Sequence, residues 1–558
     1  MTGILKYFDD GKNLKHVFFF LVVFLFAAKI HTIIVTDIQP WDEGMYATRV
    51  LSIKVSGDII DQSAHSIGGF YSGSHPPLLI WAGYFFTSLF GMNNVSFKIL
   101  IFILSAVLLW VMMIFGKNIY DARAGIISAV ILSSNIIFSI FCNRFQFDIP
   151  YSLLIISSFY LILRYSDTGE RKYNYLAGVV FGLCLMVKIL VGFFIPMVIF
   201  LVMIAARGKF KYLFPDLLTL TLFGILIAAP WHAYMFAVYG KEFANYFFFY
   251  HIYERALFGV EHNTKGSGYL YHINYLLTIL PYGVVVLFGA AKKIINFKNA
   301  GVKEIFVLVW FVTGLLIITL FRTKLEVYIL LMLVPGAFLA ADYVKNIDKA
   351  GIKEKTALLS LTALNIFWSV LNYFRIEEGY KIQNGGLKLL LVIAVLWALI
   401  STASILLIIK KRSGITSIYY AFILVFLIFV NTLYAVRIPY WENSFKITDI
   451  KEEIEKSGSR NLIYVASKYR HNPQFSFYFE GLDLGWNRGN YDFEFLDTKN
   501  GTDAVRNAIA GKSGVYNIIV EKDKINRSDY PDSKTFIPGG YTLVMKSPGY
   551  ELYRNNWK

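Results

Sequence analysis

Long apolar runs separated by short polar turns fill most of the first 440 positions, after which the pattern changes to short stretches of mixed polarity. Taking about 20 apolar residues for one crossing of a bilayer, the runs predict spans near residues 16–36, 97–116, 122–142, 149–165, 174–190, 191–206, 216–235, 272–290, 304–321, 327–344, 356–374, 387–409 and 415–436. Residues 441–558 instead carry turn residues such as Pro538-Gly539-Gly540. They also carry β-like runs at 461–467, 475–479, 516–520, 541–545 and 550–553. The expected architecture is a polytopic α-helical membrane protein of about thirteen transmembrane helices, with a membrane domain over 1–440 and a soluble α/β domain over 441–558.

Charge fixes the expected sidedness. Basic turns recur at Lys117/Arg123, Arg164/Arg171/Lys172, Arg207/Lys209/Lys211, Lys292/Lys293/Lys298, Lys345/Lys349/Lys353/Lys355 and Lys410/Lys411/Arg412, and Lys6, Lys12 and Lys15 precede the first run. The positive-inside rule puts them all in the cytoplasm. Parity then decides two ambiguous segments. The apolar stretch 76–90 is short, and counting it as a crossing would invert the next turn, so it is expected to lie on the outer surface as an interfacial helix. Residues 174–206 must cross twice, with the turn placed after Ile189. The first run lacks a small-residue cleavage site and reads as a signal anchor, and the C-terminal domain falls outside.

Composition agrees with this class and narrows it. The chain has 558 residues, of which 56% are hydrophobic and 17% aromatic, more apolar material than a soluble interior holds. The formal net charge of +16 is concentrated in the turns, so no nucleic-acid partner is implied. Cys142 and Cys184 match no metal spacing and read as small buried hydrophobes. Gly511-Lys512-Ser513 ends like a phosphate-binding loop, but the first glycine of that motif would fall at Arg506, so the fragment reads as a turn.

Candidate chemistry collects on the outer side. Loop 37–75 holds Asp37, Asp42, Glu43, Asp58 and Asp61, and its segment 43–54 reads as an amphipathic helix lying along the membrane. Asp42 and Glu43 sit just beyond the first span, within reach of a lipid headgroup; Asp42 also stands where a helix N-cap would. Asp148, Lys188, Arg255, Lys324 and Tyr328 come from different spans or loops, yet the topology sets them at one outer level. A carboxylate there can serve as general base toward an acceptor, while Lys and Arg stabilise charge developing on a departing phosphate. Lys188, near the end of a short span, can equally snorkel to the interface. Asp42, Glu43, Asp148 and His75 offer oxygen and nitrogen donors without a local metal spacing. No cofactor is therefore expected to be required, although a divalent cation is permitted.

Several pieces carry a resemblance: Asp42-Glu43-Gly44-Met45-Tyr46-Ala47 with Arg49, His75-Pro76-Pro77-Leu78-Leu79-Ile80-Trp81, Asp148-Ile149-Pro150, Lys188 before a Gly and a Pro, Pro230-Trp231, the run 247–255, and Lys324 with Tyr328. In order and spacing over residues 16–345 the chain resembles the C-type (GT-C) membrane glycosyltransferases that use polyprenyl-phosphate sugars, in the branch of lipid A aminoarabinose transferase and the protein mannosyltransferase-like proteins. The resemblance implies an inverting transfer of a sugar from a polyprenyl (undecaprenyl) phosphate to a lipid, glycan or protein acceptor, at the outer face of a bacterial inner membrane. It implies that Asp42 is the base or acceptor-orienting acid, Asp148 the second acid, Arg255 and Tyr328 contacts to the lipid-linked phosphate, and Lys188 and Lys324 sources of positive potential. Glu43 and Arg49 would support Asp42. His75 departs from the branch, which has Lys before the Pro-Pro pair; a neutral imidazole still donates a hydrogen bond to phosphate. A transporter of a lipid-linked or small anionic substrate would share the many spans, but such folds often carry an internal repeat, and none is found.

Overall fold

The computed structural model describes residues 13–259, 268–278, 282–379, 415–442, 446–467, 472–479, 491–522, 533–547 and 549–555. Among the described residues seven helices are long and apolar enough to cross a membrane: Leu14–Val35, Asn94–Ile119, Asp148–Thr168, Phe214–Leu257, Val302–Leu320, Glu326–Lys349 and Ile415–Ala435. Shorter apolar helices accompany them at Leu78–Phe90, Ala122–Ser133 and Ile189–Ala205. The chain is thus a multi-pass membrane protein with a small C-terminal sheet domain. The span expected at 387–409 lies outside the described residues.

The chain divides into two compact units. The first contains Met1–Lys29, Ile101–Asn143 and Phe147–Ala435; the second contains Ile30–Leu100, Arg144–Gln146 and Val436–Lys558. The loop after the first span and the C-terminal segment therefore belong to one body.

In the first unit, polar side chains tie the basic turns together at one end. Lys345 pairs with Asp121, and Lys303 pairs with Asp167 at 2.9 Å while donating to the Asn118 carbonyl. Lys293 meets Glu304 and, at 2.7 Å, Asp342; Lys292 meets Glu354 at 3.0 Å. Tyr165 and Asn174 donate to Asp216, and the Thr416 N–H donates to Asp348. Turns predicted to share a side are thus held by one another's carboxylates.

Three expected spans are built differently. The run 122–142 breaks after Ser133 because Asn135 accepts the Ile137 N–H and starts a new short helix, Ile136–Phe141. The run 174–190 ends at Leu185, and Lys188 lies extended (φ −158°, ψ 106°) in the turn before Ile189–Gly192. The run 272–290 is described as two helices, Tyr271–Thr278 and Gly283–Ile295.

The second unit contains the five-stranded sheet, in order β2-β1-β3-β5-β4. β1 (Asn461–Ala466), β2 (Asp492–Asp497) and β3 (Tyr516–Glu521) run parallel, and β5 (Tyr550–Asn555) and β4 (Tyr541–Lys546) add antiparallel. Ile463, Val465, Ile518 and Val520 bury one face against Val505 and Ile509 of the helix Thr502–Ala510, each such side chain contributing about 1.5–3 kcal/mol. Gly511-Lys512-Ser513 is the connection to β3, where Lys512 pairs with Glu494. The expected strand 475–479 is instead the helix Gln474–Tyr478. Pro473 supplies a helical φ of −65° at its start, and one turn on, the rings of Phe475 and Phe479 stack 6.0 Å apart. β2 was not among the expected strands.

Candidate functional site

The second unit carries the first group of candidate residues. Asp42 opens the helix Asp42–Ser56, whose residues 43–53 are all buried. The segment expected to lie along the membrane is therefore an enclosed helix rather than a half-exposed one. Its cap position is Trp41, with no side-chain cap, so Asp42 is the first helical residue and not the cap. Trp41 has φ 64° and ψ −128°, a conformation that costs a residue with a Cβ about 1–3 kcal/mol and persists only where its surroundings dictate it.

Those surroundings are a set of buried charges. Asp37, 2% exposed, accepts the Ile447 and Thr448 N–H groups at 2.7 and 2.9 Å and the Thr448 hydroxyl at 3.2 Å. Glu43, fully buried, accepts the Gln39 N–H at 2.9 Å through one oxygen and the Phe145 N–H at 3.0 Å through the other. Burial raises both carboxyl pKa values, against these hydrogen bonds and the Lys98 charge, which act to lower them. Lys98, itself buried, donates to the Thr36 carbonyl at 2.8 Å and to its hydroxyl. The chain from Thr36 to Glu43 is held on both sides of Trp41, and Asp42 is the acid left exposed.

Arg49 is fully buried, and burial lowers its pKa to about 10, leaving it charged at neutral pH. Its guanidinium donates to the carbonyls of Ser72 (3.0 Å) and His75 (2.9 Å) and to Gln62 Oε1 (3.0 Å). The described bonds of Arg49 thus fix the loop that ends in His75, whose ring meets Tyr46 edge-on at 6.2 Å.

The first unit carries the second group, at the end away from the paired basic turns. Asp148 begins the helix Asp148–Thr168 and accepts the Tyr151 hydroxyl at 3.1 Å. The Lys188 ammonium lies 5.4 Å from the Tyr328 ring centroid, within cation–π range, and Tyr328 is in electrostatic range of Tyr151. Asp148 with Tyr151, and Lys188 with Tyr328, are thus two contacting pairs in this unit. Tyr151 was not a candidate from the sequence; its signal is its place one helical turn after Asp148.

Arg255 and Lys324 are arranged differently. The Thr323 N–H and hydroxyl donate to the Arg255 carbonyl at 3.1 and 2.8 Å, and the Arg322 N–H donates to the Ala256 carbonyl, so the two segments run side by side. Lys324 is buried and donates to the Ile318 and Thr319 carbonyls at 3.0 and 2.7 Å. It thereby caps the carboxyl end of the helix Val302–Leu320. Burial, then the Arg322 charge, lowers its pKa. Among the described residues no three His, Cys, Asp or Glu side chains converge as a metal site.

Residues 74–234 match the family described as dolichyl-phosphate-mannose-protein mannosyltransferase. The chain superposes on ArnT from Cupriavidus metallidurans bound to undecaprenyl phosphate with a TM-score of 0.68, at 16% identity, covering 96% of this chain and 97% of that one. The fold is ArnT-like. The apo state of the same ArnT superposes over equal shares at 16% identity with a TM-score of 0.65. An uncharacterized protein of Aquifex aeolicus is 22% identical over 445 residues, 78% of this chain and 81% of its own length. The ArnT-like fold extends across both units, whereas the matched family segment takes in His75, Asp148 and Lys188 and ends before Arg255.

Proposed function

We propose that the chain is an inverting glycosyltransferase that moves a sugar from a polyprenyl phosphate to a lipid, glycan or protein acceptor at the outer face of a bacterial inner membrane, with the C-terminal domain periplasmic. The observation that carries this reading is the separation of neighbouring acids. Asp37 and Glu43 are consumed by backbone N–H groups, and Asp42 alone is exposed, at the head of a buried helix and beside a strained Trp41. An exposed acid held at a fixed place at the head of a helix suits a general base. The structure of ArnT bound to undecaprenyl phosphate supports a lipid phosphate as donor.

In the reaction, the acceptor hydroxyl oxygen bonds to the anomeric carbon as the carbon–oxygen bond to phosphate breaks, inverting that carbon. Asp42 takes the hydroxyl proton, and the electron pair of the broken bond stays on the polyprenyl phosphate. Lys188, Arg255, Tyr328 and His75 stabilise the charge gathering there, and Asp148 acts as second acid, oriented by Tyr151. Lys324 adds positive potential from its capping position, and Arg49 holds the His75 loop.

Mass spectrometry of envelope lipids, glycans and proteins, with and without the gene, identifies the product. Asp42→Asn is expected to abolish that product, by about 10²-fold or more, at unchanged expression and membrane insertion. Product at the wild-type level in that variant would sink the mechanism.

A further inference from the structure

The helix that presents Asp42 is completed by residues far away in the chain. Gly44 sits where an added Cβ would lie 2.7 Å from the Gln474 backbone nitrogen and 2.9 Å from Pro473 Cγ, closer than real Cβ contacts. One turn on, the Thr48 hydroxyl reaches the Pro473 carbonyl at 3.2 Å. On the other side of Asp42, the Ile38 N–H donates to the buried Tyr478 hydroxyl at 2.8 Å, and Asp37 binds the backbone at Ile447 and Thr448. The Phe477 ring packs on Phe97, 5.7 Å between centroids, one residue before Lys98. Among the described contacts, the C-terminal segment offers backbone groups, the Pro473 ring, the Phe477 ring and the neutral hydroxyls of Thr448 and Tyr478, which is how a supporting wall is made. A sugar-binding wall would keep polar groups aimed at solvent.

We infer that residues 447–448 and 473–478 of the C-terminal segment are a positioning element for Asp42. They hold the 36–44 chain and the first turns of the 42–56 helix in place instead of binding substrate. This rests on the reading of Asp42 as the acid of the transfer. Tyr478 is the central positioning residue, because its hydroxyl serves a backbone N–H only four residues before Asp42. Gly44 is the notch that lets the segment approach.

The test uses the full-length chain in nanodiscs and in the complemented host. Tyr478→Phe keeps the ring and removes the acceptor of the Ile38 N–H. Amide exchange over residues 37–45 is expected to rise about fivefold, and product formation in the host to fall about tenfold at matched expression, because small misplacements of a reacting group are costly. The affinity of the purified protein for undecaprenyl phosphate, used as the probe, is expected to stay within about twofold, since no donor contact is removed. Gly44→Ala is expected to act in the same direction and more strongly. Lys512→Ala, at the surface pair with Glu494 in the same domain, is the control and leaves all three readouts unchanged. Weakened undecaprenyl phosphate binding by Tyr478→Phe would make the segment a substrate wall and overturn the proposal. Unchanged exchange, or faster exchange with undiminished product, would also overturn it. Undiminished product in Asp42→Asn, by contrast, would bring down the reading of Asp42 even where the exchange result shows that the brace exists.

Discussion

The two ends of the first unit treat their lysines in opposite ways. At the end where the basic turns gather, Lys292, Lys293, Lys303 and Lys345 each meet a carboxylate from another turn. At the other end, Lys188 lies over the Tyr328 ring and Lys324 points at helix carbonyls; among the described residues neither has a carboxylate within ion-pair distance. Paired lysines have their charge neutralised locally and serve to hold helix ends together. Lysines that face only rings or carbonyls keep a positive potential that an incoming anion can use. On the proposed function, the same residue type is scaffold at one end and reagent at the other.

The comparison breaks most easily at Lys188. Lys188→Ala is expected to lower product formation by about 10²-fold, the loss typical when one donor to a developing oxyanion is removed, with the thermal midpoint nearly unchanged. A lowered midpoint with normal product would move Lys188 into the scaffold class.

Lys293→Ala is expected to do the reverse. Its side chain is 15% exposed, and it serves both Glu304 and Asp342, so its loss strands two partly buried carboxylates and costs about 1–3 kcal/mol of stability, read by thermal unfolding in detergent.

The smallest effect sharpens the middle case. Lys324→Met keeps the aliphatic stem and removes the cap, and is expected to cost about 0.5–1 kcal/mol, with a loss of product well short of that from Lys188→Ala. A loss equal to that of Lys188→Ala would make Lys324 a direct phosphate ligand as well as a cap.

Much of this division was legible in the chain. Seven of the apolar runs gave the long apolar helices among the described residues, because a bilayer allows few alternatives for about twenty apolar residues. The charged turns gave their grouping because they were spaced by those spans. What stayed hidden depended on partners distant in sequence. Lys98 reads as a charge at the edge of an apolar run, and only the fold reveals its ammonium buried against Thr36, where its charge acts on both Asp37 and Glu43. Arg49 looked like a companion for Asp42, since about two helical turns put them on one face; its described hydrogen bonds instead reach Gln62, Ser72 and His75. The stretch 475–479 has the aromatic composition of a strand, and its helical state comes from Pro473 and from rings that stack one turn apart. The Asn135 break was missed because a single capping side chain inside an apolar run leaves the hydropathy almost unchanged.

The hydrogen bond from Ile38 to Tyr478 joins residues 440 positions apart, and this sets an order of events in the life of the chain. Asp42 leaves the ribosome and passes the first span early, long before the segment that braces it has been synthesised. Until residues 447–478 have been delivered to the same side, the 42–56 helix lacks its wall and the acid lacks its fixed direction. On the proposed reading of Asp42, maturation of the site is tied to completion of membrane insertion, and a nascent chain carries the carboxylate in an unarmed form.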